Sequence, residues 1–166
     1  GKSSKAVSLP VKPLEFRAGV WPALMTDLCR RGRAARESGA FLLGKLSETG
    51  KVVHEWLPYD ELDPAVRNFE YVRLGTNAFS KLWAECDVRG LRDVADVHTH
   101  PCGPRQSRSD RANPMISLAG HVALIVPNFA QGVVQPSDVS VNVYLGGGAW
   151  KSYFQRDAVA LIKLSN

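Results

Sequence analysis

"DVHTHPCGPRQSRSD", residues 96–110, packs two histidines, a serine and a carboxylate into one short run of chain. "LRDVA", 91–95, leads into it, so the histidines close a strand. Side chains two apart on a strand share a face, so His98 and His100 project together, about 7 Å apart along the chain. Thr99 points the other way, into packing. Pro101, Gly103 and Pro104 then turn the strand into a loop. "S-x-x-D", Ser107 to Asp110, has the form of a helix start. Strand, stiff loop and helix follow one another here, which sets an α/β framework.

Two imidazoles on one face can share a metal ion. Asp110 supplies a third, anionic ligand once the loop folds back. Two histidines and a carboxylate form the ligand set of an open, catalytic zinc site, which keeps a fourth position for water. A structural zinc site is closed, usually by several thiolates. The three cysteines, Cys29, Cys86 and Cys102, form no C-x-x-C pair and are odd in number, so neither a Cys-only zinc site nor a disulfide framework is expected. Each piece also has a plainer reading: a hydrogen-bonded strand histidine, or a common helix cap. The metal reading rests on their conjunction.

Outward from this stretch, "VWPALMTDLCRR", 20–31, has helical spacing with Pro22 in the first turn. Residues 37–57 read as a hairpin around "SETGK". "YDELDPAVRN", 59–68, is loop-like, and "FEYVRL", 69–74, alternates like a strand. "TNAFSKLWAECDVRG", 76–90, is a helix ending at Gly90. "SDRANPMISLAG", 109–120, reads as helical, restarting at Asn113-Pro114. "HVALIVP", 121–127, is a buried strand, and 139–154 a hairpin around three glycines. "DAVALIKL", 157–164, suits a strand or a short helix. The expected fold is one α/β domain with a mixed sheet flanked by helices, spanning 11–166 after an N-terminal tail, 1–10.

The 166 residues suffice for one core, and 45% hydrophobic with 22% charged is ordinary globular composition. No apolar run approaches the roughly 20 residues of a membrane span. The start, "GKSSKAVSLP", lacks the apolar stretch of a signal peptide, so a cytoplasmic location is expected, with no membrane partner. The net charge is +5. "CRRGRAARE", 29–37, reads as a solvated helix end; without interleaved aromatics it does not predict a nucleic-acid partner.

Glu37 opens an otherwise apolar strand, "ESGAFLLG". Hydrolysis at an open zinc site needs a group to take a proton from water and pass it to the leaving amine, and a glutamate suits that task. "E-S-G-A-F-L-L-G", followed by "H-T-H-P-x5-S-x-x-D", resembles the JAMM/MPN (JAB) metallopeptidases, and "GHVALIVPNFA" and "GGGAW" resemble their prokaryotic branch. The loop between Pro101 and Ser107 is one residue shorter than the commonest family form. The resemblance implies an MPN/JAB, cytidine-deaminase-like fold with one Zn²⁺ per chain, held by His98, His100 and Asp110. It implies Glu37 as general base and then acid, and Ser107 as oxyanion stabiliser. It also implies a substrate: the bond after the C-terminal glycine of a bacterial ubiquitin-like protein or its conjugates. E1-like and E2-like proteins, including those of anti-phage operons, are the implied associates. Two alternatives stay open: release of cysteine or another small adduct from a sulfur-carrier protein, and a metal-free scaffold. The edge expected to receive the substrate tail is "FEYVRLG", 69–75. His54 and His121 are expected to be non-ligands. Cys102 is expected to stay off the metal. Arg105, Arg108 and Arg111 surround the site, either solvated or facing substrate.

Overall fold

A computed structural model describes residues 12–64 and 74–166. In chain order its elements are β1 (Leu14–Phe16), α1 (Val20–Gly32), β2 (Gly39–Ser47), β3 (Gly50–Pro58), α2 (Tyr59–Leu62), α3 (Thr76–Arg89), β4 (Arg92–Thr99), α4 (Arg108–Ala112), β5 (Val122–Val126), β6 (Ser140–Gly146), β7 (Ala149–Tyr153), α5 (Arg156–Val159) and β8 (Ile162–Leu164). The strands form one eight-stranded sheet in the order β7-β6-β5-β4-β2-β3-β1-β8. The sheet is mixed: β4 runs parallel to β5, and β1 runs parallel to β3 and β8, while the remaining pairs are antiparallel.

Strand alternation divides the core into two layers. Ala40 and Leu42 pack with Trp21, Leu24 and Leu28 of α1 on one face. Phe41 and Leu43 pack with Tyr59, Leu62 and Leu82, from α2 and α3, on the other. The register places Asp96 opposite Phe41 and His98 opposite Gly39. Directly paired residues share a face, so Asp96 and His98 look out on the α3 side. Thr99 is fully buried on the α1 side, where its hydroxyl accepts the Ser38 amide at 2.9 Å.

Gly39 is required by a close approach. A Cβ there would lie 2.4 Å from Cε2 of Tyr59 and 2.8 Å from the Val97 carbonyl oxygen. The Tyr59 ring can therefore lie across the strand beside the histidine face only because this position lacks a side chain.

The hairpin over 37–57, the helices from Val20 and Thr76, the strand of the two histidines and the glycine-turn hairpin all form where expected. Other segments differ. The helix of α4 stops at Ala112 instead of running to 120. Asn113 sits at φ −129°, ψ 68°, as a residue before proline is forced out of the helical region. Tyr59–Leu62 makes one helical turn where a loop was expected. The C-terminal segment contains both alternatives, the turn α5 followed by β8. The expected tail, 1–10, lies outside the described residues. So does most of the strand expected at 69–74; its last residue, Leu74, is described and is not in a strand. Among the described residues, no helix is long and apolar enough to cross a membrane.

Candidate metal centre

The C-terminal end of β4 delivers both histidines. His98 closes the strand's histidine face, and the chain leaves the sheet at His100, whose amide still donates to Val126 of β5 at 2.8 Å. The nine residues after His100 return Asp110 to the same place. That return is fixed by a reciprocal cap at the start of α4: the Asp110 amide donates to Ser107 Oγ at 3.0 Å, and the Ser107 amide donates to Asp110 Oδ2 at 2.9 Å. The short loop therefore still closes, because the cap sets the distance between Ser107 and Asp110 locally.

His98 Nε2 lies 3.1 Å from His100 Nε2 and 3.3 Å from Asp110 Oδ1, and His100 Nε2 lies 2.9 Å from Asp110 Oδ2. These three form the one group among the described residues whose donor atoms converge as metal ligands. Zinc bonds of about 2.1 Å in a tetrahedron separate neighbouring ligands by about 3.4 Å. The triad is therefore set close to tetrahedral spacing, and its donor types are those zinc accepts. Asp110 is 6% exposed in its side chain. Burial pushes its carboxyl upward, but hydrogen bonds from His100, His98 and the Ser107 amide overcome this and hold it well below the carboxylate range. Burial opposes a charged His98, yet Asp110, Asp96 and Glu37 together pull its pKa up. The field that favours an imidazolium here equally favours a bound cation.

Glu37, His98 and Asp110 line one cavity together with Tyr59, Asp96, Gln106, Met115 and Trp150. Glu37 reaches it from the residue before the Ser38–Gly39 entry to β2. Ser107 is not among the lining residues. Its Oγ accepts the Asp110 amide as a helix cap, which leaves the hydroxyl proton free to donate elsewhere. Two buried oxygens on the cavity wall, Tyr59 Oη and Gln106 Oε1, have no hydrogen-bond partner.

A profile of prokaryotic homologs of the JAB domain matches residues 18–142, most of the chain and all of the segment from Glu37 to Asp110. The chain belongs to the prokaryotic JAB family. Its fold is similar to the solution structure of a protein from Desulfitobacterium hafniense, with a TM-score of 0.59 and 16% identity over 92% of this chain and 93% of that one. It is also similar to a Salinibacter ruber protein, with a TM-score of 0.52 and 19% identity over 81% and 86% of the two chains. At these identities the likeness concerns fold alone.

This JAB domain braces the loop that follows His100. Asn128, Phe129 and Ala130 all adopt left-handed conformations, with φ of 54°, 53° and 58°. Asn128 tolerates that conformation, while Phe129 and Ala130 pay for it with about 1–2 kcal/mol each. The turn is held because the Asn128 amide donates to the Cys102 carbonyl at 2.9 Å and the Phe129 amide to the His100 carbonyl at 2.8 Å. Strained backbone and ligand loop thus brace each other.

The remaining histidines have other partners. His121 Nε2 lies 2.6 Å from Asp96, and Nδ1 lies 4.0 Å from Asp93. His54 meets Arg17 at 3.2 Å. Cys102 is exposed and outside the ligand group. Asp96 was legible as a site residue, standing two before His98 on the same strand face. Trp150 and the left-handed turn carried no such local signal.

Proposed function

We propose that this JAB domain is a zinc-dependent peptidase that cleaves after the C-terminal glycine of a ubiquitin-like protein, in a precursor or a conjugate. The observation carrying the reading is the triad of His98, His100 and Asp110 at 2.9–3.3 Å from one another, with Glu37 on the wall of the same cavity. Bound zinc would supply Lewis-acid polarisation of the scissile carbonyl and acidify water at the open position. The chain's residues supply the rest. His98, His100 and Asp110 would hold the ion. The Glu37 carboxylate would accept a proton from the attacking water and return it to the departing amine. Ser107 does not line the cavity, but the Asp110 cap leaves its hydroxyl proton unused, so it would be available to the developing oxyanion, worth roughly 3 kcal/mol by comparison with other such donors. Cavity walls of Met115 and Trp150 would exclude bulk water.

The test is cleavage of a ubiquitin-like protein carrying a C-terminal extension, by the zinc-loaded chain and by Glu37→Gln. Cleavage after the terminal glycine by the first alone supports the reading. Equal rates for both would remove Glu37 from the chemistry. Release of a cysteine adduct without cleavage of protein extensions would select the sulfur-carrier alternative. An association with anti-phage conjugation proteins belongs to this reading and depends on the substrate found.

A further inference from the structure

Tyr59 stands on the wall of the metal cavity, 2% exposed, and its hydroxyl has no hydrogen-bond partner. The ring is held in place. It packs edge-on against Phe41, with 5.0 Å between centroids, and it crosses β2 where Gly39 leaves room. Arg31 of α1 pairs with Asp60 at 2.7 Å and with Glu61, which fixes the turn α2 that begins at Tyr59. The carboxylates that share the cavity have other partners. Asp96 Oδ2 meets His121 Nε2 at 2.6 Å, and Asp110 meets His98, His100 and the Ser107 amide.

A tyrosine hydroxyl is protonated at neutral pH and can donate. Burial pushes the pKa of this one higher still, with the charges of Asp96, Asp93 and Asp110 adding to the rise. On the same wall, the Gln106 side-chain oxygen is buried without a partner. The free space of the cavity is about 40 Å³, room for roughly two or three water-sized groups. An unsatisfied donor and an unsatisfied acceptor beside one small space suit an occupant that carries both a carbonyl and an N–H. A peptide group carries both. A bare anion would leave the Gln106 oxygen without a donor.

We propose that Tyr59 is a further catalytic residue: its hydroxyl donates to the carbonyl oxygen of the bond being cut, while Gln106 accepts an N–H of the substrate backbone. This rests on the peptidase reading. As the oxygen of water bonds to the carbonyl carbon, an electron pair of the C=O bond moves onto its oxygen, and the Tyr59 hydrogen bond strengthens there. Glu37 takes the proton of the water and returns it to the amine as the C–N bond breaks. The phenol keeps its own proton throughout, so the step needs no further reactant.

The test compares wild type with Tyr59→Phe, both zinc-loaded. Phenylalanine keeps the ring against Phe41 and removes the oxygen alone. On a ubiquitin-like protein with a C-terminal extension, kcat should fall about 100-fold, with KM changed by less than about twofold. Zinc content and the urea midpoint should not fall, since a buried hydroxyl without a partner does not stabilise the fold. In parallel, calorimetry measures the affinity of both proteins for acetohydroxamate, a small probe with a carbonyl oxygen and an N–H. That affinity should drop about five- to tenfold in Tyr59→Phe. Where wild type cleaves, an unchanged kcat in Tyr59→Phe overturns the role of Tyr59 and leaves the peptidase standing. So does a loss of rate matched by lost zinc or a lower midpoint. Where wild type does not cleave, the peptidase reading fails and acetohydroxamate decides. Weaker binding by Tyr59→Phe then keeps the phenol as the hydrogen-bond donor of the cavity; equal or absent binding overturns it.

Discussion

His98 and His100 present their Nε2 atoms to each other at 3.1 Å. Two neutral imidazoles meet this closely only if one donates a proton to the other or both face a shared cation. Each nitrogen also meets an oxygen of Asp110, at 3.3 and 2.9 Å. A proton on each Nε2 serves the two Asp110 contacts but leaves the nitrogens facing each other, whereas one shared cation serves all three. The geometry of the centre thus follows from two local rules: strand alternation for the histidines, and a helix cap for the aspartate.

The left-handed turn should control metal affinity from outside the ligand set. Asn128 is exposed, so replacing it does not disturb the core. Asn128→Val places a β-branched residue in the left-handed region, at a cost of about 1–2 kcal/mol. Zinc affinity, measured by competition with a chelator, should fall about tenfold. Asn128→Gly, which tolerates that φ, should stay near wild type. Equal affinities for both variants would detach the turn from the metal loop.

Gly39→Ala should be one of the most damaging small substitutions in the sheet. Its Cβ meets both Tyr59 and the Val97 carbonyl oxygen below 3.0 Å, and the backbone contact cannot be relieved by a rotamer change. A loss of about 1–3 kcal/mol is expected in urea denaturation, with weaker zinc binding because His98 lies opposite on β4. An unchanged denaturation midpoint would contradict the packing described.

Much of this site was legible because its determinants are local. His98, His100, Ser107 and Asp110 sit within one strand, loop and cap, where spacing alone fixes direction. Glu37 was marked by an acid at the mouth of an apolar strand. The left-handed turn at Asn128–Ala130 was marked only by Asn128, which tolerates positive φ, since nothing in Phe129 or Ala130 favours it without the carbonyls of His100 and Cys102. The three residues of β1 are too few for a pattern, and they pair with β3 and β8 only in the folded sheet. The helix expected past Asn113 failed because a proline that can open a helix also bars its predecessor from continuing one.

Stability should fall as pH rises from about 5 to 8 through the group behind the site. Burial, partly offset by His121, pushes Asp93 up to about 7, with Asp96 adding to the rise and Lys51 opposing it. The folded chain therefore keeps a proton that the unfolded chain releases at ordinary carboxylate pH, so deprotonation favours unfolding in that window. His121, also raised, against its burial, by the charges of Asp96 and Asp93, acts in the same direction. Asp93→Asn carries no charge at any pH. Relative to wild type, it should gain about 2–3 kcal/mol between pH 5 and pH 8. Parallel stability profiles for the two proteins in urea would show that Asp93 is ionised throughout.

The most direct test of the account is zinc content by elemental analysis, after equilibration in a zinc buffer, on folded wild type, Glu37→Gln, His98→Ala and Asp110→Ala. Wild type and Glu37→Gln should each hold about one zinc per chain, and the two ligand variants should hold none. Full zinc in His98→Ala and Asp110→Ala, or none in folded wild type, would contradict the assignment of His98, His100 and Asp110 as a metal centre.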